Sequence, residues 1–297
     1  MSTTPVSNES PAAHPTADPV MSLRGITKRF GAVQALSEID FDVYPGEVVA
    51  IVGDNGAGKS TFVKILAGVY TPDGGTITFN GDEVTVPNPA AAQALGIATV
   101  FQDLALADNL DVVSNLFLGR EIAHPLLDEE EMERRSWELL QQLAARIPSV
   151  RIPIASLSGG QRQTVAIARS LIGDPQVVVL DEPTAALGVA QTAEVLNLVE
   201  RLRERGLGVV LISHNLADVQ AVADRVAVLR LGRNNGTFRI DDVSYEEIIA
   251  AITGATDNAV TRRAAARTEP ATAARNDPAT AARTDPTAAR NDQETTA

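Results

Sequence analysis

A lysine and a serine close a glycine-rich stretch, Gly53-Asp54-Asn55-Gly56-Ala57-Gly58-Lys59-Ser60-Thr61. The spacing fits G-x-x-x-x-G-K-[ST], a pattern that wraps phosphate. Glycines let the backbone curl so that successive N–H groups converge on phosphate oxygens. A helix opening here adds its positive end to the same anion. Lys59 supplies a mobile point charge for β- and γ-phosphates, and the Ser60 hydroxyl suits Mg²⁺. The chain has three lysines, Lys28, Lys59 and Lys64, and arginine fills nearly every other basic position. A lysine in this loop therefore points to phosphate chemistry rather than to general surface charge.

Two further groups fit the same chemistry. Val177-Val178-Val179-Leu180-Asp181-Glu182-Pro183 ends an apolar run in two adjacent carboxylates. Such a pair is costly at the end of a buried strand unless it faces a cation or a polar cleft. At the C-terminal edge of a parallel sheet, Asp181 can hold Mg²⁺ through water while Glu182 polarises an attacking water. Leu157-Ser158-Gly159-Gly160-Gln161 runs into a helical sequence. Ser158 is suited to cap that helix, and the two glycines leave its N-terminus open to an anion.

These groups need a scaffold. The runs 47–53, 176–182 and 208–214 are short, β-branched and apolar throughout, as expected for strands of a parallel sheet covered on both faces. Helical stretches at 59–68, 190–205 and 215–224 follow them, and this alternation predicts an α/β fold. Residues 21–46 and 74–86 instead carry turn pairs such as Asn80-Gly81, which predict an antiparallel subsheet. Residues 103–173 read as mostly helical. Within them 128–146 opens on acids and sets Met132, Leu139, Leu140 and Leu143 on one side.

The chain has 297 residues, no cysteine and a formal charge of −13. Disulfides and thiolate chemistry are excluded, and the acidic balance opposes general nucleic-acid binding. No apolar run reaches the roughly 18 residues of a membrane span, and the first twenty residues lack the basic and apolar regions of a secretory signal. Residues 1–20 read as a disordered leader. From 254 to 297 a degenerate repeat, with Arg267, Arg275, Arg283 and Arg290 at spacings of eight, eight and seven, reads as a low-complexity disordered tail.

Taken in order, these motifs resemble those of the ATPase subunit of an ABC transporter. Residues 53–61 are similar to the family's Walker A motif, 157–161 to its signature and 177–182 to its Walker B motif with the catalytic glutamate. The resemblance implies a P-loop NTPase of ABC type over residues 21–253. Its mixed parallel core sheet is joined by an antiparallel β subdomain and a helical subdomain at about 87–173. ATP and Mg²⁺ are the implied cofactors. Phe30 falls where the family stacks an aromatic on adenine, Gln102 at the Q-loop glutamine and His214 at the switch histidine. Gly53, Asp54, Asn55, Gly56, Ala57, Gly58, Lys59, Ser60 and Thr61 would hold the phosphates. Ser60, Gln102 and Asp181 would surround Mg²⁺, and Glu182, His214 and Gln102 would serve catalysis. Ser158, Gly159, Gly160 and Gln161 would come from a second copy, paired head to tail.

The stretch Thr184-Ala185-Ala186-Leu187-Gly188-Val189 departs from most of the family by placing Gly188 where an Asp is usual. This form resembles the ribose, xylose and fructose importers, as do Phe101-Gln102-Asp103-Leu104-Ala105-Leu106 and Ser213-His214-Asn215. Separate permease subunits, an extracytoplasmic sugar-binding protein and a peripheral place on the cytoplasmic membrane face are then implied, with no nucleic-acid partner. The alternatives are a non-sugar importer or an exporter, or a soluble ABC protein of translation or DNA repair.

Overall fold

The β-branched runs form strands because each side of the pleat has its own apolar layer to meet. In the computed structural model, which describes residues 18–123 and 126–255, the strands are β1 (Met21–Phe30), β2 (Val33–Val43), β3 (Val48–Val52), β4 (Gly74–Phe79), β5 (Asp82–Val84), β6 (Ile97–Val100), β7 (Val177–Asp181), β8 (Gly208–Ile212), β9 (Arg225–Arg230) and β10 (Arg233–Arg239). The helices are α1 (Lys59–Leu66), α2 (Pro89–Leu95), α3 (Val112–Phe117), α4 (Glu129–Gln142), α5 (Gly159–Ser170), α6 (Val189–Glu204), α7 (Leu216–Val222) and α8 (Tyr245–Thr253). By contacts the chain divides into units 1–256 and 257–297, and the second lies outside the described residues. So do residues 1–17, which make up most of the expected leader.

The larger sheet runs β10-β9-β3-β8-β7-β6; all its pairs are parallel except β9–β10. Val48, Ala50 and Val52 enter a core built with α3 to α7, while Val49 and Ile51 enter a second core containing Phe62 and Ile65 of α1. Both faces are therefore buried, which explains why these strands read as continuous apolar runs. The smaller sheet, β2-β1-β4-β5, is antiparallel. Its Phe41 meets Phe62 edge-on at 5.1 Å, fastening α1 to that sheet; such pairs add about 0.5–1.5 kcal/mol beyond area burial. A second tie is ionic. Buried Arg225 of β9 donates to Glu47 through Nε (2.5 Å) and Nη2 (2.9 Å), and also to the Asp42 carbonyl of β2.

The segment 87–173 is not wholly helical. It contains α2 and the strand β6, which pairs with β7 at the edge of the parallel sheet. Its four residues, Ile97-Ala98-Thr99-Val100, are too short to show a period. Helix α4 ends at Gln142 rather than near 146, because Ala144 adopts a left-handed φ of 45°. The face expected on α4 does form. Met132, Leu140 and Leu143 are buried, and Leu139 packs partly buried against the same core.

Candidate active site

Register brings the chemistry to one edge. Ile51 of β3 and Asp181 of β7 both lie opposite Ile212 of β8, and Val100 of β6 lies opposite Leu180. The C-terminal ends of β3, β6, β7 and β8 are thus level. From them emerge the phosphate-loop motif, Gln102, the Asp181-Glu182 pair and His214. This is where open parallel sheets bind ligands.

The loop after β3 is shaped by close approaches. Gly53 has φ 153°, and a Cβ there would lie 2.2 Å from the Leu229 carbonyl oxygen. Gly58 has φ 106°, and a Cβ would meet Leu36 at 2.7 Å and the Ala35 oxygen at 2.9 Å. Gly58 also precedes α1 without any side-chain cap, so the first N–H groups of the helix are left for a ligand. Lys59 folds back over the loop, its Nζ donating to the carbonyls of Gly53 (2.6 Å) and Asp54 (3.1 Å). Asp54, Asn55, Gly56, Ala57, Gly58, Lys59, Ser60 and Thr61 line a cavity of about 260 Å³, walled by Val33, Gln34 and Ala35.

Asp181 shares the pleat side of Val177 and Val179, the face covered by α1. Burial, and then the neighbouring Glu182 charge, raises its pKa above the usual carboxylate range, while Lys59 and Lys64 oppose the shift. No described residue donates a hydrogen bond to the Asp181 carboxylate. A half-buried, unpartnered carboxylate facing the start of α1 fits a divalent cation held with the Ser60 hydroxyl and phosphate oxygens. Among the described residues no cluster of three or more His, Cys, Asp or Glu offers a denser metal site.

Glu182 turns out of the strand with a left-handed φ of 53°, its N–H held by the Ile212 carbonyl at 3.0 Å. Non-glycine residues in that region are strained by about 1–3 kcal/mol, and such strain clusters at functional sites. Its Oε2 lies 2.5 Å from Nδ1 of His214. A carboxylate only accepts, so the ring hydrogen sits on Nδ1 and Nε2 is left free. Val52, Gly53, Asp54, Asn55, Ser213 and His214 line a further cavity of about 450 Å³.

The remaining sequence candidates line neither of these two cavities. Gln102 is exposed two residues past β6, beside Phe101 and Asp103, which line a groove of about 580 Å³ between α2, β6 and α5. Phe30 ends β1, exposed, edge-on to Tyr70 at 5.1 Å and 5.6 Å from the Lys28 ammonium. It is not among the residues lining the phosphate-loop cavity; its hairpin partner Val33 is. Ser158 and Gln161 line a separate groove with Arg146, Gln191 and Arg201, apart from the phosphate loop. There they form a capping box: Ser158 accepts from the Gln161 N–H, and Gln161 Oε1 accepts from the Ser158 N–H. A Cβ on Gly160 would lie 3.1 Å from Gln191 Cβ, and one on Gly159 3.0 Å from Leu187 Cδ2. These glycines therefore serve packing against α6 and its approach loop, a reason the motif alone does not show.

Sequence reasoning missed the walls of the site. Val33, Gln34 and Ala35 flank the loop, and Gly232, at φ 74° between β9 and β10, donates its N–H to the Ala57 carbonyl from behind. The Leu231-Gly232 turn is visible in the sequence, but its pairing with a loop 175 residues earlier is not.

Residues 36–185 match the family described as ABC transporter. The fructose import ATP-binding protein FrcA of Rhizobium meliloti is 44% identical, over 80% of this chain and 95% of that protein. The xylose/arabinose import ATP-binding protein XylG of Sulfolobus acidocaldarius is 42% identical, over 79% and 94%. The ribose import ATP-binding protein RbsA 1 of Rubrobacter xylanophilus is also 42% identical, but this chain spans only 50% of its length. A solved nucleotide-free ATP-binding cassette from an ABC transporter superposes with TM-score 0.70 at 27% identity, covering 80% of this chain and 96% of that one. A dimeric cassette in a post-hydrolysis state, bound to ADP and Pi, gives 0.63 at 26%, covering 74% and 98%. The chain belongs to the ABC transporter family, among its ATP-hydrolysing cassettes.

Proposed function

We propose that two copies of this chain, paired head to tail at the cytoplasmic face of the cell membrane, hydrolyse ATP to drive import of a sugar through separate permease subunits. The observation that carries the reading is the level register of β3, β6, β7 and β8. It delivers Lys59, Gln102, Asp181, Glu182 and His214 to one sheet edge. Phosphate oxygens displace the two carbonyls from Lys59 and meet the free N–H groups of α1. Phe30 and Val33, exposed at the same hairpin, face the adenine. Ser60, Asp181 and Gln102 would hold Mg²⁺, which when bound neutralises charge on the phosphoryl oxygens. Glu182 takes the proton of the attacking water. His214 is oriented by its Nδ1–H on Glu182, and on protonation Nε2 can donate to a γ-phosphate oxygen. Positioning and electrostatics supply most of such catalysis.

Ser158 and Gln161 line a different groove from the phosphate loop of their own chain, which supports the 158–161 stretch serving the nucleotide of a second copy. The dimeric cassette holding ADP and Pi gives the same support. No described helix is long and apolar enough to cross a membrane, and the transport path is assigned to the separate permease subunits. The groove of about 580 Å³ beside Gln102, with Ala90, Ala94, Leu104 and Leu118 among its walls, suits a short helix of a permease. Sugar is the solute class named for the fructose, xylose/arabinose and ribose relatives, and an extracytoplasmic binding protein would deliver it.

The test is purification from detergent-solubilised membranes followed by reconstitution. Permease subunits should co-elute, and fructose, xylose or ribose, with its binding protein, should stimulate phosphate release. Stimulation only by a non-sugar solute would overturn the sugar assignment. Absence of any membrane partner would overturn transport.

A further inference from the structure

One buried carboxylate has no part in the mechanism above. Asp218, in the first turn of α7, is only 6% exposed and makes two side-chain hydrogen bonds. Its Oδ2 accepts from the Thr184 hydroxyl at 2.6 Å, and its Oδ1 accepts from Asn215 Nδ2 at 2.9 Å. The second bond is local: Asn215 caps α7, accepting from the Ala217 N–H, and a nearby acid suits the helix N-terminus. The first bond is not local, since it crosses 34 residues to the other catalytic loop. Thr184 stands two residues after Glu182, across rigid Pro183, and Asn215 stands next to His214. The turn between Glu182 and Thr184 is closed by the Ala185 N–H on the Glu182 carbonyl. On the other side, Asn215 N–H donates to the hydroxyl of buried Ser213 at 3.0 Å, so both neighbours of His214 are held.

We infer that Asp218 is a positioning residue. It ties the loop carrying Glu182 to the loop carrying His214 and so sets the 2.5 Å contact between them. Capping alone needs no partner on the β7–α6 loop, yet the shortest of Asp218's bonds goes there. Neither Glu182 nor His214 is restrained at its side chain by any other described residue; His214 is largely exposed. Their spacing therefore depends on how the two loops are fastened. A misplacement of about 1 Å can cost 10²-fold in rate without loss of binding.

This inference rests on the reading of Glu182 as the base, and the experiment separates the two. Steady-state ATP hydrolysis is measured for the full chain with its membrane partners, as kcat and KM, beside thermal melting. Asp218→Ala and Thr184→Val should lower kcat about 10- to 100-fold, with KM for ATP within about twofold of wild type. Asp218→Asn should restore kcat to within about threefold, because its amide can donate to Thr184 Oγ1 while its oxygen accepts from Asn215. Thr184→Ser, which keeps the hydroxyl, should do the same. If Asp218→Ala fails to fold, the Thr184→Val and Thr184→Ser pair carries the test. Wild-type kcat in Thr184→Val, or no rescue by Asp218→Asn and Thr184→Ser, would overturn the inference. Glu182→Gln is the control. If it is inactive while Thr184→Val is fully active, only the positioning role fails; if Glu182→Gln is fully active, the base assignment beneath it fails.

Discussion

Glu182→Gln removes one proton acceptor and little else. Glutamine has the same length, and its Oε1 can still accept the His214 Nδ1–H across the 2.5 Å contact. The backbone bond to Ile212 does not involve the side chain, so the left-handed turn persists. Fold and ring orientation should therefore survive, and the loss should fall on turnover. A positioned general base contributes about 10²–10⁴-fold, which at 1.36 kcal/mol per tenfold is about 2.7–5.4 kcal/mol of barrier. A second effect has the opposite sign. The Glu182 charge is the second cause, after burial, that raises Asp181. Its removal lowers the Asp181 pKa, so that carboxylate stays ionised to a lower pH. Mg-dependent nucleotide binding should then persist further into acid than in wild type. The assay pairs phosphate release with equilibrium binding of a fluorescent ATP analogue over a pH series. Turnover within tenfold of wild type would refute the base. A loss of nucleotide affinity at neutral pH would refute the claim that the substitution is isosteric.

Three other outcomes follow from the geometry. Asp181 has a raised folded pKa, so the folded protein holds that proton more tightly than the unfolded chain, and ionised Asp181 costs stability above its folded pKa. Asp181→Asn should therefore melt higher than wild type at neutral pH without Mg-ATP, the difference closing as the pH falls, and Mg-ATP should no longer raise its melting point; scanning calorimetry reads both. Glu47→Gln leaves Arg225 buried without its ionic partner, and breaking such a pair typically costs about 3–5 kcal/mol; a shift below 1 kcal/mol in urea unfolding would contradict the tie assigned to it. Arg120, at the rim of the groove beside Gln102, uses Nη1 to hold the Ile172 carbonyl and adds to the field that lowers Arg169 below burial alone. Arg120→Glu should reduce co-purification with membrane subunits while leaving ATP affinity within twofold, as read by pull-down and binding titration.

What was legible in the sequence is what local chemistry decides. The phosphate loop, β3, β7 and β8 each declare themselves within a dozen residues, because glycine placement and doubly buried β-branched runs need no distant partner to be recognised. The strand β6 was not legible, since four residues set no period and only pairing with β7, across 80 positions, makes it a strand. Likewise β9, β10 and α8 were not identified: Arg225 enters a buried strand only because Glu47 neutralises it, and β10 alternates exposed and half-buried positions with little apolar content. Asp218 carries no motif, and nothing near it in sequence reports Thr184, 34 residues earlier. Phe30 was legible by motif, but its pairing with Val33, which walls the phosphate-loop cavity while Phe30 does not, emerges only from the β1–β2 hairpin register.

The signature glycines show why a motif can be identified while part of its physical reason is missed. Anion approach at the start of α5 requires an open N-terminus, which Gly159 and Gly160 allow. The structure adds a second demand on the same atoms, because a side chain at either position would press on Leu187 or Gln191. Leu187 ends the loop that leaves Glu182, and Gln191 lies in the first turn of α6, which starts from Gly188 without a side-chain cap. One side of this contact therefore continues into the hydrolytic loop of its own copy. The other side is the α5 terminus that, in the proposed dimer, faces the nucleotide of the partner copy. The close approach of Leu187 and Gln191 to Gly159 and Gly160 thus sets the 182–188 loop of one site beside the α5 terminus that, in the proposed dimer, would serve the other.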